Sequence, residues 1–219
     1  MPAFAPTLAS IVQKAGIIAV LIIDREEDAV PLAKAMLAGG INVMELTLRT
    51  PAALGALRRI RAEVPEMIAG VGTILTVQQV EQVVSADAAF GVAPGTNPRI
   101  IQAAQQSGLS FAPGVATPTD IEIALENDCQ LLKFFPAEPS GGLAYLKAVA
   151  APYLHLGVQF IPLGGVNGKN LTTWLSDPLI SALGGSWLAP KDLIARGDWT
   201  AIEAIALEAT GSIQSLRAN

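Results

Sequence analysis

One unit recurs along this chain: a short apolar run, a cluster of turn residues, then a segment with helical patterning. The apolar runs fall near 17–23, 42–48, 67–72, 88–93, 109–112, 130–135, 157–163 and 179–183, spaced by roughly 20–28 residues. Such βα repeats favour parallel strands, because each helix carries the chain back to the edge where the next strand starts. Eight units within 219 residues predict a compact (β/α)8 TIM barrel, built as one domain over residues 1–219. An open doubly wound sheet is the alternative, but no Gly-x-Gly-x-x-Gly follows the first run. Ile11 and Ala15 mark an extra N-terminal helix ahead of the first strand. Thr50-Pro51, Asn97-Pro98 and Thr117-Pro118 each place a capping side chain before a proline suited to a first helical turn. Gly39-Gly40 and Gly108 stand where helices should stop.

Bulk properties narrow the function classes. Hydrophobic residues make up 51% of the chain and charged ones 15%, which supplies a large core. A net charge of −5, with no basic cluster, argues against a nucleic-acid partner. The single cysteine, Cys129, excludes an intrachain disulfide, and the single histidine, His155, leaves no Cys/His metal cluster. No metal is therefore expected. The apolar run Gly16–Ile23 is far short of the roughly 18 residues of a membrane span. Met1 to Ser10 lacks a basic stretch followed by an apolar core. The expectation is a cytoplasmic protein with no membrane partner.

Against this background one lysine is out of place. Lys133 sits in Leu131-Leu132-Lys133-Phe134-Phe135-Pro136, an apolar run with no other charge, whereas the other five lysines stand in helix-like or loop-like surroundings. Burying an ammonium is costly, and a desolvated lysine amine is a nucleophile toward carbonyls; the plain alternative is a lysine that snorkels from a strand end. In Val43-Met44-Glu45-Leu46-Thr47-Leu48-Arg49, strand alternation sends Met44 and Leu46 toward the helices and turns Glu45, Thr47 and Arg49 inward. An inward glutamate is either a structural salt bridge or a general acid/base. The same phase turns Lys133 inward, so amine, carboxylate and guanidinium converge, a set suited to covalent chemistry on a keto acid. Gly164-Gly165 follows the seventh run and Gly184-Gly185-Ser186 the eighth. Barrels often bind phosphate at those two loops, although each glycine pair alone reads equally as a tight turn. Gly72-Thr73 and Pro94-Gly95 close two further strands and could line the mouth.

These segments, in this order, resemble the 2-keto-3-deoxy-6-phosphogluconate (KDPG) aldolase family, class I aldolases of the Entner–Doudoroff route. The resemblance covers nearly the whole chain and is most specific in Glu45-Leu46-Thr47-Leu48-Arg49-Thr50 and Lys133-Phe134-Phe135-Pro136-Ala137-Glu138. It implies Lys133 as the Schiff-base lysine and Glu45 as the general acid/base. It implies Arg49 and Thr73 at the pyruvate-derived end, with Pro94 and Phe135 lining it, and Gly164, Gly165 and Ser186, beside Gly185, on the phosphate. It further implies a homotrimer, no organic cofactor, and pyruvate and a phosphorylated keto acid as ligands, with 4-hydroxy-2-oxoglutarate a possible second substrate. Gluconate-series members carry threonine before the first glycine pair and galactonate-series members an apolar residue. This chain has Leu163, which leaves the C4 epimer open. A non-covalent phosphosugar isomerase and a non-catalytic phosphosugar-binding barrel remain alternatives.

Overall fold

A computed structural model describes residues 3–218; Met1, Pro2 and Asn219, part of the single domain expected over 1–219, lie outside them. The elements run α1 (Pro6–Ala15), β1 (Ile17–Leu21), α2 (Ala29–Ala38), β2 (Val43–Thr47), α3 (Ala53–Glu63), β3 (Ile68–Gly72), α4 (Val77–Ser85) and β4 (Gly91–Val92). Then come α5 (Pro98–Gln106), β5 (Phe111–Ala112), β6 (Gly114–Val115), α6 (Pro118–Glu126), β7 (Leu131–Phe134), α7 (Gly142–Ala150) and β8 (Gln159–Pro162). The chain closes with α8 (Leu171–Leu175), β9 (Leu183–Gly185), α9 (Lys191–Arg196) and α10 (Trp199–Ala218). The expected alternation and the extra N-terminal helix are both present.

All strand pairings are parallel, and they form two sheets: β5-β4-β3-β2-β1-β9 and β6-β7-β8. The architecture is thus an α/β fold on parallel sheet, and its strands are less even than the spacing suggests. The run near 88–93 shortens to β4. The run at 109–112 becomes β5, and a further short strand, β6, lies beyond it after Pro113; β5 pairs with β4 and β6 with β7, since a proline has no N–H to carry a ladder through. The run at 179–183 becomes β9 plus an isolated bridge between Ile180 and Phe160 of β8.

Helix boundaries follow local chemistry. Asn97 accepts from the Arg99 N–H, and Thr117 forms a capping box with Asp120. Thr50 departs from expectation: α3 starts only at Ala53, and the Thr50 hydroxyl donates to the Ile23 carbonyl, fastening the end of β2 to the end of β1. Gly39 closes α2, and Gly108 follows α5 with a positive φ of 71°.

The strands separate two apolar clusters by strict alternation. Ile17, Ala19 and Leu21 of β1, Met44 and Leu46 of β2, and Leu132 and Phe134 of β7 pack with the helices. Ile18, Val43, Leu131, Ile161 and Leu163 turn to the other face and meet one another, with Phe4 and Val12 from the N-terminal segment. On this inner face, toward the C-terminal strand ends, the apolar residues give way to Glu45 and Lys133.

Candidate active site

Glu45 is paired in register with Val20 of β1 and Gly70 of β3; Lys133 is paired with Gly114 of β6 and Ile161 of β8. The two side chains therefore reach across from different sheets. Lys133 Nζ donates to Glu45 Oε1 at 3.3 Å, with the residues 6% and 2% exposed. Removing two such charges from water costs several kcal/mol per ion, and replacing such a pair by apolar residues is often neutral or stabilising. Stability is thus a poor reason for this pair. Room for the carboxylate comes from Gly72, where an added Cβ would lie 1.7 Å from Glu45 Oε1. Above the amine, the Phe135 ring lies 5.5 Å from Nζ and is 36% exposed, forming the rim.

The other residues singled out from the sequence follow the ends of neighbouring strands. Arg49 follows β2, is exposed, and its guanidinium is engaged in no ion pair or hydrogen bond among the described residues. Thr73 follows β3 with φ +63°, an unusual conformation for a β-branched residue and one that gathers at functional sites. Pro94, half-buried, follows β4. Thr47 donates its hydroxyl to the Leu21 carbonyl rather than into the cavity.

The other side is backbone. Leu163, at the end of β8, is buried and packs where Gly184 has no side chain; a Cβ there would lie 2.2 Å from Leu163 Cγ. Gly164 and Gly165 follow with φ of 93° and 83°, conformations that glycine enters without strain. Gly185 ends β9, and Ser186 beyond it is exposed, its hydroxyl in no hydrogen bond among the described residues. Sequence reasoning gave Glu138 no role. Yet its N–H donates to the Gly164 carbonyl and its Oε1 accepts from Asn170 and Trp174. The one signal was its place in Lys133-Phe134-Phe135-Pro136-Ala137-Glu138.

Other chemistry is poorly placed. Burial, aided by Asp128, pushes the Cys129 thiol up to about 12, so it stays a protonated core residue ahead of β7. His155 lies exposed in a short 3-10 turn. Among the described residues, no three His, Cys, Asp or Glu side chains gather as a metal site. No helix among them is long and apolar enough to cross a membrane. A cleft of about 660 Å³ lies between α1 and α10, lined by Lys14, Asn42, Thr210 and Arg217, but it holds no paired acid and base.

The family model described as KDPG and KHG aldolase matches residues 8–205. A 2-dehydro-3-deoxy-phosphogluconate aldolase of Treponema pallidum is 42% identical over 199 residues, covering 91% of this chain and 94% of its own. A KDPG aldolase from Legionella pneumophila, solved with pyruvate captured as a covalent carbinolamine, superposes with a TM-score of 0.87 at 37% identity, over 92% of this chain and 97% of that one. The 2-keto-3-deoxy-6-phosphogluconate aldolase of Zymomonas mobilis, solved with 3-phosphoglycerate, gives a TM-score of 0.86 at 37% identity, over 94% and 96%.

Proposed function

This chain belongs to the KDPG and KHG aldolase family, and on that premise we propose that it cleaves 2-keto-3-deoxy-6-phosphogluconate reversibly to pyruvate and glyceraldehyde 3-phosphate through an imine on Lys133. The observation that carries this reading is the buried Lys133–Glu45 pair at 3.3 Å. Lys133 hands a proton to Glu45, and its amine attacks the C2 ketone to give a carbinolamine. Glu45 returns the proton to the departing hydroxyl, and water leaves a protonated imine. The Glu45 carboxylate then takes the C4 hydroxyl proton. The C3–C4 bond breaks, its electron pair moves into the imine, and the aldehyde departs. Glu45 protonates the enamine at C3, and hydrolysis frees pyruvate and the amine. The imine matters most, because without it the electrons of the breaking bond have no low-energy destination.

In this assignment Arg49 and Thr73 hold the carboxylate end, and Pro94 and Phe135 wall it. Gly164, Gly165, Gly185 and Ser186 hold the phosphate, and Leu163 faces C4. The Arg49 guanidinium and the Ser186 hydroxyl, without partners among the described residues, support those roles. The reaction needs neither metal nor cofactor. 4-Hydroxy-2-oxoglutarate is a second substrate and the galactonate-series phospho sugar acid a weaker one. We also infer one domain over 1–219 in which the two sheets close into a (β/α)8 barrel, supported by the Phe160–Ile180 bridge and by the Lys133 N–H donating to Pro113 at the β5/β6 break. A cytoplasmic homotrimer without nucleic-acid or membrane partners completes the reading; the net charge of −5 supports the first exclusion.

Borohydride reduction in the presence of pyruvate tests it. A single stable adduct is expected on the peptide containing Lys133. Labelling elsewhere, or none, leaves the isomerase and binding readings standing instead.

A further inference from the structure

The phosphate side of the mouth contains a carboxylate that no step of the reaction uses. Glu138 lies in the turn after β7, and its Oε1 accepts two hydrogen bonds, from Trp174 Nε1 at 2.8 Å and Asn170 Nδ2 at 2.9 Å. The Trp174 indole is buried and packs against Phe134 of β7 with ring centroids 6.3 Å apart, so its N–H is a fixed anchor. Asn170 also donates to the Gly165 carbonyl at 3.2 Å, and its Oδ1 accepts from the Asn167 N–H at 2.8 Å. The backbone of the same turn completes the seam: the Ala137 N–H donates to Leu163 O and the Glu138 N–H to Gly164 O, at 2.7 and 2.9 Å. A Cβ on Gly165 would lie 2.6 Å from Glu138 Cβ, so glycine pair and glutamate are in direct contact.

We propose that Glu138 is a positioning residue for the phosphate end of the substrate: by holding Trp174 and Asn170 it sets the direction of the Gly164–Gly165 backbone. The carboxylate touches neither the imine lysine nor its partner. Its loss therefore acts on recognition of the phosphate and not on the covalent steps. This rests on the aldolase reading above.

The test compares kcat/KM for the phosphorylated sugar acid with that for the same sugar acid lacking its phosphate, alongside borohydride trapping of pyruvate. In Glu138→Ala the ratio of the two kcat/KM values should fall about tenfold or more, since an ångström of misplacement can cost up to about 10²-fold. The loss should appear in KM of the phosphorylated substrate, with trapping at the wild-type rate. Glu138→Gln keeps an acceptor oxygen and should hold the ratio within about threefold, the worth of one weakened hydrogen bond. Inorganic phosphate should inhibit Glu138→Ala less than wild type. Equal loss on both substrates, or an unchanged ratio in a folded Glu138→Ala, overturns the proposal. Absence of pyruvate trapping in wild type would instead overturn the aldolase reading on which it rests.

Discussion

The two sides of the mouth are made in different ways. The proposed pyruvate side rests on side chains of regular strands: Glu45 within β2 and Lys133 within β7, each buried and laddered on both flanks. The proposed phosphate side relies on backbone after the strands end, at Gly164 and Gly165 beyond β8 and at Gly185 and Ser186 at the end of β9. Rigid strands hold groups that must meet within hydrogen-bonding reach to move a proton. Loop N–H groups suffice for an anion already present in the ground state, and in the proposal above the contacts of Glu138 keep their direction. Damage on the first side should thus appear in kcat, and damage on the second in KM.

The sharpest test of that division is Glu45→Gln. The amide retains the volume over Gly72 but cannot shuttle a proton, so kcat should drop on the order of 10²-fold or more while part of the imine formation survives. Near-normal turnover would return Glu45 to a structural role. Gly165→Ala attacks the other side, with both a positive φ and the close approach of Glu138 against it. KM for the phosphorylated substrate should rise, and Tm should fall by a few degrees for a strain of about 1–3 kcal/mol. Pyruvate trapping should persist; its loss would show that the two sides are not separable. Leu163→Thr works at the boundary between them. A new hydrogen bond to one C4 hydroxyl is worth about 0.5–1.5 kcal/mol, so the gluconate-to-galactonate ratio of kcat/KM should increase a few-fold. An unchanged ratio means that residue 163 does not read C4. Smallest of all, EDTA should leave turnover as it was, and recovery of a lost activity on adding zinc would refute the imine route.

The same contrast governs what could be read from residues alone. Lys133 and Glu45 are legible because a charge in an apolar run is anomalous, and period-two alternation then sends both to one face. The glycine pairs carry a weaker signal, since glycine serves any turn, and Glu138 carries less still because its role depends on Trp174 and Asn170 arriving from a later part of the chain. The strand β6 beyond Pro113 leaves no such signal, because an apolar run shows where a strand lies and not where the next segment changes its pairing partner. Thr50 resembled a cap by spacing, but an accessible carbonyl at Ile23 took its hydroxyl. The left-handed backbone of Thr73 leaves no mark in composition, since threonine is not chosen for that conformation.

The position of β1 between β2 and β9 also has a consequence in time. One of its edges can be covered as soon as β2 is made, but the other waits for Leu183–Gly185, after most of the chain has been synthesised. A ribosome adding roughly 5–20 residues each second would leave that apolar edge open on the order of ten seconds. Throughout that interval β1, with Ile17, Ile18, Ala19, Val20 and Leu21, has one edge without a partner, a template for aggregation until β9 emerges.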